Sequence, residues 1–204
     1  MLELNGHPPI LVKKFLEAKK LSYCVRPMRW EDIAQVTEID LEAFPTMLPP
    51  TNYKRELKNR LANYIVAYDD QKAIGEHGRQ YIVGLAGFWI MAGEAHIVNI
   101  AVRESYRRQG IGELLLISLI ELAIEKDANL ITLEVRASNN TAQRLYYKYG
   151  FTLKGIRRGY YSDDREDAVI MTVEEIYSES FKERLNLLKQ AHFKKWGIGI
   201  YQNV

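Results

Sequence analysis

Arg107-Arg108-Gln109-Gly110-Ile111-Gly112 lies between a strand-like run ending at Val102 and residues 112–126, apolar at nearly every position except Glu113, Ser118, Glu121 and Glu125. A helix this apolar is predicted to be buried against a sheet. Glycines at 110 and 112 let the backbone come close to a ligand, and the first N–H groups of a helix point outward with partial positive charge. Arg107 and Arg108 add full charges and directional donors for phosphate oxygens. A pyrophosphate suits such a turn. A plain surface turn with solvated arginines is the alternative, and a glycine pair alone does not separate the two.

Working outward, residues 23–27 read as a strand, and Ile33, Val36, Ile39, Ala43 and Phe44 recur at helical spacing until Pro45 stops the helix. Residues 45–50 hold three prolines and form a loop, and residues 53–61 look like a short helix. Residues 63–68 and 81–91 are strand-like, joined by a polar segment, 69–80, that reads as a long hairpin loop. Strands follow at 96–102 and 130–135, then a helix over 141–149 closed by Gly150, then a final strand pair at 151–158 and 168–173. This order predicts an α+β domain, one sheet with helices on both faces, over residues 22–173. The flanking segments, 1–21 and 174–204, differ from it. In the second, Phe181, Leu185, Leu188, His192 and Trp196 share one helical face behind a Ser180 and Glu183 pair suited to a capping box. That stripe packs on the core or on a second subunit, which leaves a homodimer open.

The 204 residues, 47% hydrophobic and 26% charged, have the composition of an ordinary folded protein. The single cysteine, Cys24, suits a reducing compartment. Charges at Glu3, Lys13, Lys14, Glu17, Lys19 and Lys20 interrupt the apolar stretch that a signal peptide needs, so a cytoplasmic protein is expected. The longest apolar runs, 85–93 and 114–124, are too short to span a bilayer, and no membrane is expected. A net charge of +2 gives no reason to expect a nucleic acid partner. His7, His77, His96 and His192 show no metal-ligand spacing, so no metal is expected and the histidines receive no role.

Two nucleotide readings of the glycine turn can be tested by inspection. A phosphate-binding Walker A loop requires Lys-Ser or Lys-Thr after its last glycine, where Glu113 and Leu114 stand. A Rossmann turn needs a small residue at 115, which is Leu115, and glycines directly after the strand; Glu134 at about 20 residues is its one point of support.

The ordered set Asn99-Ile100-Ala101-Val102, Tyr106 to Gly112, Leu133-Glu134-Val135-Arg136-Ala137-Ser138-Asn139, Leu145-Tyr146 and Gly150-Phe151 resembles the GNAT superfamily of acetyltransferases. Within that superfamily the pattern is most like the RimI-type ribosomal-protein N-terminal alanine acetyltransferases. The resemblance implies a single mixed, mostly antiparallel sheet and acetyl-coenzyme A as cosubstrate. It implies that the turn formed by Arg107, Arg108, Gln109, Gly110, Ile111 and Gly112 holds the coenzyme pyrophosphate. It further implies a strand bulge whose backbone groups at Ile100 and Val102 bind the pantetheine arm and acetyl carbonyl, and an Asn139 amide that binds the coenzyme. A bulge leaves backbone groups unpaired and aimed at a ligand, so that role is chemically reasonable.

The same resemblance makes Glu134 the general base and Tyr146 the general acid. An N-terminal amine has a pKa of only ~7.7 to 8.0, so freeing it of its proton costs little near neutral pH. An ordinary carboxylate is a weak base for that proton, so Glu134 is expected to act through an ordered water or with a pKa raised by burial. The alternative is a structural pair with Arg136, two residues along the same strand face. Tyrosine near ~10 faces a thiol near ~8.5, so full proton donation from Tyr146 is uphill by ~1.5 units, or ~2 kcal/mol, and a hydrogen bond to the thiolate costs less. Tyr146 is chosen over Tyr147 and Tyr149 by the motif register. Arg157-Arg158-Gly159-Tyr160-Tyr161 also resembles the RimI pattern, and Tyr160 and Tyr161 are expected to line a groove for a protein N-terminus. RimI-like chains commonly follow Phe-Pro with Trp-Ser, whereas Phe44-Pro45 here precedes Thr46-Met47-Leu48-Pro49-Pro50, which opens acceptors other than a ribosomal alanine. A small-molecule amine, a lysine, or a non-catalytic acyl-coenzyme A sensor remain alternatives, with intact Glu134 and Tyr146 against the sensor.

Overall fold

The computed structural model describes residues 23–46, 49–75 and 78–197. The predicted extension 1–21, with His7, lies outside these residues, as do Met47, Leu48 and His77. Strands β1 (Tyr23–Pro27), β2 (Ala62–Ile74), β3 (Arg79–Met91), β4 (Glu94–Val102), β5 (Leu130–Arg136), β6 (Thr152–Arg157) and β7 (Ala168–Val173) form one sheet in the order β1-β2-β3-β4-β5-β7-β6. β4 and β5 are parallel and every other neighbouring pair is antiparallel. That mixed, mostly antiparallel sheet is the predicted one, and it removes the Rossmann reading, which requires a mostly parallel sheet.

The helices are α1 (Ile33–Ala43), α2 (Tyr53–Glu56), α3 (Ile111–Glu125), α4 (Asn140–Lys148) and α5 (Glu179–Trp196). They divide between the two faces because strand side chains alternate. In β2, Ile65 and Ala67 enter the core with α3, whereas Tyr64, Val66 and Tyr68 enter the core with α1. Leu115, Leu116, Leu119 and Ile120 of α3 are all buried, each side chain stabilising by about 1.5–3 kcal/mol. The polar exception Ser118 donates its hydroxyl to the Leu114 carbonyl at 3.0 Å.

Three local expectations are corrected. The predicted hairpin loop 69–80 is mostly strand: after a register shift beyond Asp69, Ala73 pairs with Gln80 and Ile74 with Arg79. This ribbon is largely exposed and carries no apolar alternation, so it gave no strand signal. The helix predicted over 53–61 is a single turn, Tyr53–Glu56. The cap of α5 is Ser178, not Ser180: the Ser178 hydroxyl accepts from the Phe181 N–H at 3.2 Å. The apolar stripe of α5 packs on this chain's own core, with Phe181 and Leu185 buried beside α3 and Leu188 against them.

Candidate active site

β4 and β5 pair only from Glu94↔Leu130 to Ile97↔Leu133. In the β3 pairing, Phe88 faces Ile97 and Gly87 faces Asn99, so Val98 is the extra residue of a β-bulge. The bulge thus falls just before the residues for which it was expected. Past it, Ile100 and Val102 remain paired with Ala86 and Gly84 of β3, while β5 pairs with β7 through Glu134↔Ile170. Among the described residues, 98–102 therefore have no partner strand on their β5 side. Backbone donors and acceptors inside a sheet require partners, and this cleft offers a row of them to an extended ligand.

The cleft leads to the glycine turn. Gly110 is left-handed (φ +82°) and caps α3 with no side-chain hydrogen bond, and Arg108 is also left-handed (φ +63°). The first N–H groups of the helix, at Ile111, Gly112 and Glu113, have no intrahelical carbonyl to bond. Arg107 and Arg108 are exposed beside them. The Gln109 side chain is committed elsewhere, accepting from the Tyr23 hydroxyl at 2.6 Å. A Cβ at Gly112 would meet nothing closer than Val102 Cγ2 at 3.8 Å, so glycine there is not required by the protein's own packing. An uncapped helix start, two arginines and open space at Gly112 fit a pyrophosphate. Asn139 caps α4, its Oδ1 accepting from the Ala142 N–H at 3.1 Å, which leaves its NH₂ group for a ligand.

Glu134 stands one residue past the last β4–β5 pair. Its side chain is 7% exposed, with Oε2 2.5 Å from His96 Nε2 and Oε1 3.1 Å from an Arg157 guanidinium nitrogen. A carboxylate only accepts, so Nε2–H donates. The His96 hydrogen bond, with the Arg157 charge, holds the Glu134 carboxyl below the usual carboxylate range against the upward push of burial. The expected burial-raised pKa is thereby corrected. The alternative pairing with Arg136 is also absent: Arg136 binds Asp163 at 2.7 Å, Asp164 at 2.9 Å and Glu166 at 2.9 Å. His96, assigned no role from sequence, is a partner of the candidate base. The parallel register His96↔Thr132 puts it on the same side as Glu134, a signal that exists only once the strands are paired.

Tyr146 lies on α4, half-buried, its ring 5.7 Å from Phe151. Burial, with Tyr161 nearby, pushes its phenol well above 10, so full proton donation is harder than the sequence suggested. Burial likewise raises Tyr161 to about 12, and the charge of Glu134 contributes to that rise. Tyr161 thus stands within the electrostatic reach of both Glu134 and Tyr146. Its ring lies 4.0 Å from the Arg136 guanidinium and edge-on to Tyr160 at 5.3 Å. Arg136 fastens the whole β6–β7 loop to β5, and Thr46 donates to Asp163, joining the first inter-helix loop to it. Among the described residues, no cluster of His, Cys, Asp and Glu could hold a metal ion, and no helix is long and apolar enough to cross a membrane.

The chain that carries this bulged, parting strand pair and glycine turn belongs to the GNAT family of acetyltransferases. Residues 30–151 match that family, described as "Acetyltransferase (GNAT) family". The chain is 42% identical over 155 residues to a putative ribosomal protein bS18-alanine N-acetyltransferase of Bacillus subtilis, a match covering 76% of this chain and 97% of the relative. It is 36% identical over 166 residues to an N-alpha-acetyltransferase of Sulfurisphaera tokodaii, covering 78% and 97%. The solved ribosomal-protein-S18-alanine N-acetyltransferase from Escherichia coli superposes with a TM-score of 0.62 at 29% identity, covering 74% of this chain and 93% of that one.

Proposed function

We propose that this protein transfers an acetyl group from acetyl-coenzyme A directly to the N-terminal α-amine of a protein, with a ribosomal protein alanine terminus as the leading candidate. The reading rests on one observation above all: Glu134 and its partner His96 sit where β4 and β5 part, and the open strand edge runs from there to the glycine turn. The coenzyme pyrophosphate binds the backbone of residues 107–112, and Arg107 and Arg108 supply charge. The Asn139 NH₂ group adds a donor, and the pantetheine arm pairs with the strand edge at Ile100 and Val102, taking over the Val102 carbonyl from the Arg107 Nε–H at 3.4 Å. The thioester then reaches Glu134 and Tyr146.

The neutral amine attacks the thioester carbonyl, the C–N bond forms, and the C–S bond breaks to release the coenzyme thiolate. Glu134, ionised and already bonded to His96, takes the amine proton directly or through water. Tyr146 donates a hydrogen bond to the departing sulfur. Cys24, buried in β1 at the sheet edge, takes no covalent part. Tyr160 and Tyr161 wall the acceptor groove. A terminal amine near ~8 suits a weak base better than a lysine near ~10.4, whose deprotonation costs about 3 kcal/mol more.

Coenzyme A release tests this with paired peptides, one with a free N-terminal alanine and one N-formylated. Release with the free peptide alone supports the reading, and equal release from both, or none, overturns it.

A further inference from the structure

α5 runs back along α3 toward the glycine turn. Just before it, the Tyr177 hydroxyl donates to the Ile124 carbonyl at 3.3 Å, near the C-terminal end of α3. Midway, Lys189 pairs with Glu121. At the far end, His192, 4% exposed, places Nε2 3.1 Å from the Gly110 carbonyl, and the Trp196 indole lies against Gly110 itself. A Cβ at position 110 would stand 2.8 Å from Trp196 Cδ1 and Nε1. The turn is thus covered on its flank by the last residues of α5, while the first N–H groups of α3 point outward along the helix axis. The Gly110 carbonyl also accepts from the Leu114 N–H at 2.9 Å, so His192 and the helix grip the same oxygen.

We propose that His192 and Trp196 are positioning residues for the coenzyme turn, holding Gly110 in the left-handed conformation that presents the first N–H groups of α3 to the pyrophosphate. The proposal rests on the coenzyme site described above. Gly110, as N-cap, brings no side chain of its own, and among the described residues no side-chain hydrogen bond caps this helix start, so contacts on Gly110 from α5 bear directly on its geometry. Because docking of α5 and binding of the coenzyme favour the same conformation of Gly110, each strengthens the other by the same factor.

Calorimetry of the full chain with acetyl-coenzyme A tests the coenzyme site first: wild type that binds none sinks that site and the proposal with it. Given wild-type binding, Trp196→Ala and His192→Ala should weaken the coenzyme Kd roughly 3- to 10-fold, the range expected for residues that act through another. The KM for peptide and the kcat at saturating coenzyme should stay near wild type, which a general loss of structure would not allow. Trp196→Phe, which keeps a ring on Gly110, should restore most of the affinity. In Trp30→Phe/Trp89→Phe, where Trp196 is the one indole left, coenzyme should change the fluorescence. A coenzyme Kd that is unchanged or tighter in both alanine variants, or a fall in kcat matching the loss of affinity, overturns the proposal.

Discussion

Glu134 and His96 meet across the parallel strand pair, Oε2 to Nε2 at 2.5 Å, at the point where that pair comes apart. The contact keeps a nearly buried carboxylate ionised and anchored, so it enters the reaction as a weak, pre-oriented base.

The first consequence concerns pH. A carboxyl held below its ordinary value is ionised throughout the neutral range, so the rise of kcat/KM with pH should follow the acceptor amine, with an apparent pKa near ~8. His96→Ala removes the largest lowering influence and leaves burial opposed by the Arg157 charge, so the Glu134 pKa should rise and the acid limb move toward neutral pH. Profiles for peptides with different amine pKa values check this; a main limb indifferent to the peptide would contradict it.

Glu134→Gln and Tyr146→Phe should each keep coenzyme affinity and lower turnover, by ~10² to 10⁴ for a general acid or base. Since the Tyr146 phenol is pushed well above 10, wild-type activity should show no tyrosine ionisation limb up to pH 10. Calorimetry beside initial rates separates binding from chemistry, and wild-type turnover in either variant would remove that residue from the mechanism.

The two glycines of the turn should behave differently. Gly110→Ala meets both a left-handed backbone and the Trp196 ring, so it should lower stability by about 1 kcal/mol or more. Gly112→Val meets open space among the protein's own atoms, so its unliganded thermal midpoint should change less while its KM for acetyl-coenzyme A rises. Similar midpoints in the two variants would argue against the geometry of the turn.

Arg136→Ala should remove the shared partner of Asp163, Asp164 and Glu166, leaving Thr46 on Asp163 and the Ser138 N–H on Glu166, and so loosen the groove wall, raising the peptide KM more than it lowers kcat. Hydrogen bonds from Arg136 depress Asp163 and Glu166, so the stability they contribute is present above ordinary carboxylate pKa values and lost as pH falls below them. Thermal midpoints between pH 3 and 7 should therefore fall less steeply in the variant than in wild type. Equal slopes would show that the loop is held by other contacts.

The turn at 107–112 and the helix behind it were legible in sequence because glycine chemistry and hydrophobic period are local properties. The strand parting was not, since it depends on where the pairing of β4 with β5 stops, and such long-range pairings carry no local mark. His96 lies 38 residues from Glu134, and Thr46 lies 117 from Asp163. Neither pair can be read before the sheet is assembled. The same holds for Trp196 on Gly110: the stripe on α5 was visible, but its docking site was not. The cap moved from Ser180 to Ser178 because two serines precede Phe181, and the path out of β7 selects between them.

Acceptor identity is settled by locating the acetyl group. A peptide with a free N-terminal alanine and an internal lysine, treated with the protein and acetyl-coenzyme A, should by tandem mass spectrometry carry the acetyl group on the α-amine alone. Acetylation of the lysine, or of neither amine while small amines are consumed, would contradict N-terminal acetyl transfer.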